Sequence, residues 1–136
     1  MSARSKARKR ALDLIFAAEA QGLTADELLN EQQRTGDGPA NAYTVTLVRG
    51  VHEQRARLDE IISEYAKGWT IDRLPAVDRN VLRIGIYELL FSEEIPDAVA
   101  VSEAVNLVRD LSTDESPGFV NGVLAHVARD KAELVS

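Results

Sequence analysis

The feature of this sequence with the clearest chemical meaning is a cluster of basic residues at its amino terminus. The first ten positions, MSARSKARKR, contain Arg4, Lys6, Arg8, Lys9 and Arg10 and no acidic residue. The rest of the chain has twice as many acidic as basic residues, and the formal net charge at pH 7 is −6. Clustered guanidinium and ammonium groups bind phosphates. We therefore interpret these ten residues as a basic arm that binds a polyanion.

These cations lie where a helix is predicted to begin. Five apolar residues share one helical face: Ala7, Ala11, Leu14, Ile15 and Ala18. The spacing predicts a helix over residues 5–20 that ends at Gly22. Cations near a helix amino terminus oppose the helix dipole, and residues that oppose local propensity tend to lie at functional sites. Because Arg4 and Arg8 continue the edge of the apolar stripe past the core, we expect both side chains to be exposed.

Two other interpretations of the basic arm stay open. Either it is a solvated helix end that improves solubility, or it is a helix that lies on a membrane surface. The membrane interpretation is the weaker, because no Trp or Phe accompanies the cations and the apolar face is small and rich in alanine. No apolar run approaches the ~18 residues of a membrane span, so we predict no membrane association.

Residue types that support catalysis or metal binding are scarce in this chain. The sequence contains no cysteine, which excludes disulfides, thiolate zinc sites and cysteine nucleophiles. The two histidines, His52 and His126, are far apart and stand in no metal-binding motif. No phosphate-binding loop, dinucleotide-binding motif or serine nucleophile elbow is present. We therefore predict that the protein is not an enzyme and has no catalytic residue, metal or cofactor.

The amino terminus does not have the pattern of a signal peptide. The apolar stretch Ala11–Ala18 is interrupted by Asp13, and no small-residue cleavage site follows it. The absence of cysteine also suits a reducing compartment. We therefore expect a cytoplasmic protein.

The elements that position the basic arm are predicted to be helices, because apolar residues recur at helical spacing and no strand-like alternation is sustained. Thr24 and Glu27 form a capping-box pattern that begins a short helix ending near Gln33. The segment Arg34–Asn41 is rich in Gly and Pro and is predicted to be a loop.

The remainder of the chain also has helical spacing. A long amphipathic helix is predicted over residues 47–65, and its apolar stripe fades near His52–Arg55, which leaves a break there open. Proline marks the start of three further helices, at Pro75, Pro96 and Ser116-Pro117. Gly85, inside the first of these, predicts a close approach by a neighbouring helix. We predict one compact all-α domain of about six or seven helices.

The order of short motifs between Trp69 and Leu124 resembles the NusB family of bacterial transcription antitermination factors. The motifs are Arg73-Leu74, Val77-Asp78, Leu82-Arg83, Tyr87-Glu88-Leu89, Ile95-Pro96, Glu103-Ala104-Val105, Glu115-Ser116 and Phe119–Leu124. The basic first helix, which leads to Phe16, also matches. The resemblance covers the whole chain except the loop Arg34–Asn41. It implies two packed three-helix bundles with an extra short helix, forming a single RNA-binding domain over residues 1–136.

The resemblance also implies a function. Proteins of this family bind the boxA sequence of nascent RNA together with the ribosomal protein NusE. They support processive transcription by RNA polymerase, notably of ribosomal RNA operons, and they are not enzymes. Carried over by position, the RNA-binding residues would be Arg4, Lys6, Arg8, Tyr65, Glu115 and Phe119, with Lys9 and Arg10 as auxiliary phosphate contacts.

Each of these side chains has a plausible chemical role in RNA binding. The cations bind phosphates, and Tyr65 and Phe119 stack on unpaired bases. For Glu115 two roles stay open, because its carboxylate either accepts a hydrogen bond from a base or weakens binding by repulsion. The NusE contact would be Asp78, with Arg79 beside it. We expect both at the exposed start of the helix after Pro75, where Asp78→Lys would leave the fold stable.

Three alternatives to this function remain. The chain is a helical protein–protein adaptor whose basic helix binds an acidic partner, or it is the NusB-like RNA-binding domain of a ribosomal-RNA cytosine methyltransferase. The methyltransferase would need a further Rossmann domain with catalytic cysteines, and this sequence has none. A homodimer that buries the RNA-binding residues is the third.

Overall fold

The computed structural model describes residues 2–135, and within them the secondary structure is entirely helical. The α-helices are α1 (Ala3–Gln21), α2 (Ala25–Thr35), α3 (Ala42–Glu53), α4 (Arg55–Tyr65), α5 (Ala76–Phe91), α6 (Asp97–Leu111), α7 (Ser116–Arg129) and α8 (Lys131–Leu134). A short 3₁₀ helix spans Ile71–Arg73. The all-α prediction is confirmed. Neither the 3₁₀ helix nor the short α8, a single turn, was predicted from the sequence pattern.

The chain divides into two compact units, Met1–Gln54 and Arg55–Ser136. In the first unit, α1, α2 and α3 pack on one another pairwise. The predicted apolar face of α1 is buried. Gly22 ends α1 in the left-handed conformation, with φ 72°, as its lack of a Cβ allows.

The start of α2 is the capping box that the sequence predicted. The Glu27 backbone N–H donates to Thr24 Oγ1 at 3.0 Å, and the Thr24 N–H donates to Glu27 Oε1 at 2.9 Å. This hydrogen bond from the Thr24 backbone lowers the pKa of the Glu27 carboxyl group, because it stabilises the ionised form. Two otherwise unpaired backbone donors are satisfied in this way, which fixes where α2 begins.

The long amphipathic segment is two helices. It breaks at Gln54, between α3 and α4, inside the range where the apolar stripe fades. Pro75 and Pro96 occupy the N-cap positions of α5 and α6, so each helix begins at the residue after its proline. Pro117 lies in the first turn of α7.

In the second unit, α5 is the central helix, packed against α4, α6 and α7. Its buried residues include Val81, Leu82, Ile84, Ile86 and Leu89. A Cβ added to Gly85 would lie 2.8 Å from Leu124 Cδ1 and 3.6 Å from Ala104 Cβ. The predicted close approach at Gly85 is therefore confirmed, and it is made by α6 and α7.

We expect Gly85→Ala to lower the free energy of unfolding by up to about 2 kcal/mol. Overpacking against the fully buried Leu124 costs about 1–3 kcal/mol, and the helix propensity of alanine offsets up to about 1 kcal/mol of this cost. Urea unfolding followed by circular dichroism measures this change. Gly122→Ala is the matched control: Gly122 is exposed on α7 and a Cβ there meets nothing within 4 Å. In the control, the free energy of unfolding should rise by up to about 1 kcal/mol, because alanine has a higher helix propensity than glycine. Equal stability of the two variants would contradict the packing argument.

Candidate nucleic-acid interface

The amino-terminal turn of α1 presents two exposed cations. Ser2 caps the helix by accepting a hydrogen bond from the Ser5 backbone N–H at 3.0 Å. Arg4 and Lys6 are exposed, and no acidic residue lies in the first turn. No side-chain hydrogen bond or ion pair of Lys6 occurs within residues 2–135. This turn therefore concentrates positive charge in an otherwise acidic chain.

Arg8 does not share that exposure, and the expectation that it is presented to a ligand is wrong. Its exposed fraction is 2%. The guanidinium carbon lies 5.8 Å from the centre of the Tyr43 ring, and that of Arg4 lies 5.4 Å from the same ring. Close by, Thr44 Oγ1 donates to the Ala7 carbonyl at 3.0 Å. The edge of the α1 stripe therefore packs on α3, because an arginine stem and guanidinium cover an aromatic ring well.

Lys9 and Arg10 are partly exposed and interact within the same unit. Lys9 Nζ lies 2.9 Å from Asp13 Oδ2 one turn later on α1. Arg10 Nη2 donates to Gln32 Oε1 at 3.0 Å and to the Asp37 carbonyl at 3.4 Å. A phosphate would have to exchange with these partners, so any phosphate contact of these two residues costs more than one at Lys6.

In the second unit, Tyr65 lies in a small polar cluster at the carboxyl-terminal ends of α4 and α7. Its hydroxyl donates to Asp130 Oδ2 at 2.8 Å, and its ring meets His126 edge to face at 4.9 Å between centroids. His126 Nε2 lies 3.5 Å from the same carboxylate oxygen. Asp130 and His126 were not predicted as neighbours of Tyr65, although their spacing of four residues brings His126, on α7, next to Asp130 at the C-cap of that helix.

The hydrogen bond to Asp130 raises the pKa of Tyr65 to about 12, because the phenol can donate this bond only while it is protonated. The charge of the carboxylate also opposes a second negative charge beside it. The neutral phenol is thus the form that the fold favours. Its stabilising effect is present below the ordinary pKa of about 10 and is lost as the pH rises through about 12.

We expect Asp130→Asn to lower the Tyr65 pKa toward 10, because the charge on the acceptor is removed. Spectrophotometric titration of tyrosinate absorbance measures this, with Tyr65→Phe identifying which transition belongs to Tyr65. An unchanged titration curve in Asp130→Asn would show that Asp130 does not control this hydroxyl.

A cleft in the second unit collects several side chains from the α5 and α7 amino termini and the segment before α5. Its volume is about 450 Å³, and its lining residues are Trp69, Arg73, Leu74, Pro75, Asp78, Thr113, Glu115, Ser116 and Phe119. The rings of Trp69 and Phe119 meet edge to face, 6.4 Å apart at 61°. Glu115 is exposed, and Tyr65 lies outside this lining. The structure thus joins two predicted residues, Glu115 and Phe119, with two that the sequence analysis did not select, Trp69 and Arg73.

Asp78 is buried, so the expectation that it lies exposed at the start of its helix is wrong. Its exposed fraction is 3%. Ser112 Oγ donates to Asp78 Oδ1 at 2.6 Å, and Ser116 Oγ donates to Oδ2 at 2.8 Å. The carboxylate joins α5 to the α6–α7 junction, and a lysine would not be tolerated there. Its neighbour Arg79 is half-buried and donates to the Leu74 carbonyl at 2.9 Å.

The set of residues 2–135 contains neither a group of metal-binding side chains nor a helix that could cross a membrane. No group of three or more histidine, aspartate or glutamate side chains in this set is arranged to hold a metal ion. None of the helices in it combines the length and apolar character that crossing a membrane requires.

Comparison with known proteins places this chain in a family. The profile described as the NusB family matches residues 5–129. The chain belongs to the NusB family. A NusB from Nocardioides sp., named transcription antitermination protein, is 60% identical over 98% of this chain and 99% of its own length. A second NusB with that name, from Kineococcus radiotolerans, is 52% identical over 98% of both chains.

Solved NusB structures share the fold. T. maritima NusB has a TM-score of 0.84 and 32% identity, covering 96% of this chain and 94% of its own. A NusB chain solved with NusE and double-stranded RNA has a TM-score of 0.78 and 28% identity, covering 93% of this chain and 96% of its own. These matches confirm the family resemblance and the NusB-like all-α fold.

Proposed function

We propose that this chain is a transcription antitermination factor that binds RNA together with NusE. The observation that carries the proposal is the NusB family match over residues 5–129, which covers most of both units. The similarity to a NusB chain solved with NusE and RNA supports the same pair of partners. The RNA proposed here is the single-stranded boxA sequence of a nascent transcript, notably that of ribosomal RNA operons.

Both units contribute RNA-binding residues in this proposal, and the whole chain acts as one RNA-binding domain. Arg4 and Lys6 bind phosphates, since both are exposed on the first turns of α1. Arg8 supports them indirectly, because it shares the Tyr43 ring with Arg4. Lys9 and Arg10 become phosphate contacts only when they exchange their present partners.

In the second unit, Phe119 and the ring of Tyr65 stack on bases. The Tyr65 hydroxyl is engaged by Asp130, so the contribution of Tyr65 comes from its ring and not from a hydrogen bond to RNA. Glu115 is exposed beside Phe119, where it contacts a base directly.

NusE binds near the start of α5. Arg79, which is half-buried, contacts the partner directly. Asp78 acts through the fold, because its carboxylate holds the serines of the α6–α7 junction. The assembled complex acts with RNA polymerase in the cytoplasm, and the chain itself supplies binding and no catalysis.

A transcription assay tests this function. An extract depleted of this chain is programmed with a template that carries boxA upstream of a terminator, and the purified chain is added back. We expect read-through to recover with the wild-type chain, and not on a template whose boxA is scrambled. Sedimentation at the assay concentration separates a monomer from a homodimer that would bury the RNA-binding residues. No recovery of read-through would contradict the proposal.

A further inference from the structure

We propose that the cleft lined by Trp69 and Phe119 binds one unpaired RNA base that carries an exocyclic amino group, with Glu115 as the hydrogen-bond acceptor. This inference rests on the proposed RNA-binding function and specifies what one part of the interface recognises. The cleft volume of about 450 Å³ falls within the range of small-molecule sites.

The aromatic side chains of the cleft are arranged to stack on a flat ligand. Trp69 is 53% exposed, so part of its indole surface is open to solvent. Its edge-to-face contact with Phe119 holds the two rings in a fixed relative orientation. Every base has a face that stacks on such rings.

The polar groups of the cleft select among the bases. Within residues 2–135, Glu115 makes no side-chain hydrogen bond or ion pair, so its carboxylate oxygens remain available as acceptors. The second carboxylate, Asp78, already accepts from two serines. A carboxylate accepts from the exocyclic amino group of adenine, cytosine or guanine. Uracil offers it only an N3–H that lies between two carbonyl oxygens, and these oxygens repel the carboxylate.

Arg73 completes the match to a nucleotide. It is exposed on the lining, and within residues 2–135 its side chain has no ion pair, so its guanidinium is available to a phosphate. A single nucleotide offers an aromatic face, an amino donor and a phosphate together. An apolar side chain from a protein partner would use the rings and leave the Glu115 carboxylate and the Arg73 guanidinium without partners. The cleft therefore fits a nucleotide better than an apolar protein segment.

The sequence provides its own probe, because Trp69 is the only tryptophan. The full-length chain with NusE is titrated with a boxA oligonucleotide, and intrinsic fluorescence is recorded after subtraction of the NusE signal. Anisotropy of labelled RNA reports overall binding in parallel. We expect Trp69 fluorescence to be quenched with the same midpoint as the anisotropy change. Trp69→Ala should weaken binding about 5- to 150-fold, and Trp69→Phe should retain most of the affinity.

Base replacement tests the role of Glu115. Each cytosine of the oligonucleotide is replaced in turn by uracil, and each adenine and guanine by inosine, which lacks the amino group. We expect one position to lose about 10-fold or more in affinity, as for a hydrogen bond to a charged group. Glu115→Gln should reduce that difference, because an amide donates to a carbonyl as readily as it accepts from an amino group.

The outcomes separate this inference from the proposed function. RNA binding by anisotropy with unchanged Trp69 fluorescence, and with full affinity in Trp69→Ala, would overturn the cleft assignment alone. If NusE alone quenches the Trp69 fluorescence and added RNA causes no further change, the cleft binds the protein partner. That result would also overturn the assignment of the cleft to an RNA base. No RNA binding by anisotropy would overturn both.

Discussion

Asp78→Lys is expected to lower the free energy of unfolding by about 3–5 kcal/mol, enough to unfold a marginally stable unit. Asp78 is 3% exposed, so a lysine there buries an unpaired positive charge. The same change leaves the Ser112 and Ser116 hydroxyls without the carboxylate to which they donate. Urea unfolding monitored by circular dichroism, with the intact chain, measures the loss.

Two variants make this prediction specific. Asp78→Asn keeps one carbonyl acceptor, so its free energy of unfolding should fall by only about 1–2 kcal/mol. Arg79→Ala, on the half-buried neighbour, should cost less than about 1 kcal/mol while weakening NusE capture. If Asp78→Lys unfolds at the wild-type urea concentration, the buried carboxylate does not join α5 to the α6–α7 junction as described.

The second large effect is on RNA affinity. Charge reversal at both Arg4 and Lys6 should weaken RNA binding about 10- to 100-fold at low salt, since two contacts of charged groups with phosphates are lost. The slope of log affinity against log salt concentration should become shallower by about 1.4, as expected for two contacts to a single strand. Titrations at several salt concentrations measure both quantities.

The matched control reverses two exposed cations elsewhere, Arg34 and Arg109, so that the net charge of the two double variants is equal. The control should keep a salt slope close to that of the wild type. Arg8 is left unchanged in both, because it is buried against Tyr43 and its replacement would disturb α1 and α3. Equal losses in the two double variants would mean that overall charge, and not the α1 turn, governs binding.

The features that the sequence predicted depend on neighbours close in the chain. The apolar face of α1, the Thr24–Glu27 capping box and the break near Gln54 follow from spacing within a few residues. Such patterns are readable because helix period and capping are local properties. The close helix approach at Gly85 was also predicted, since glycine inside a helix usually has a packing reason.

The corrections concern partners that are distant in the chain. Arg8 was expected to be exposed because α1 alone shows only its charge, and its burial depends on Tyr43 at the start of α3. Asp78 has the pattern of an exposed residue in the first turn of a helix, and its burial depends on serines at the α6–α7 junction. Tertiary packing determines contacts between residues that are distant in the chain, and local sequence spacing does not predict them.

In the candidate site, too, single residues could be predicted from the sequence, but their neighbours in space could not. Tyr65, Glu115 and Phe119 were selected by family resemblance at matching positions, and that resemblance contains no information on their neighbours here. Trp69 and Arg73 join the cleft because the segment before α5 packs beside the start of α7. A sequence motif at one of these positions could not indicate the others.

The central claim is that this NusB-family chain recognises boxA RNA together with NusE. Equilibrium titration of the chain–NusE complex with boxA RNA, and with an RNA of the same length and composition in scrambled order, tests it most directly. The proposal predicts at least about 10-fold tighter binding to boxA, a difference of about 1.4 kcal/mol. Equal affinity for the two RNAs would contradict it.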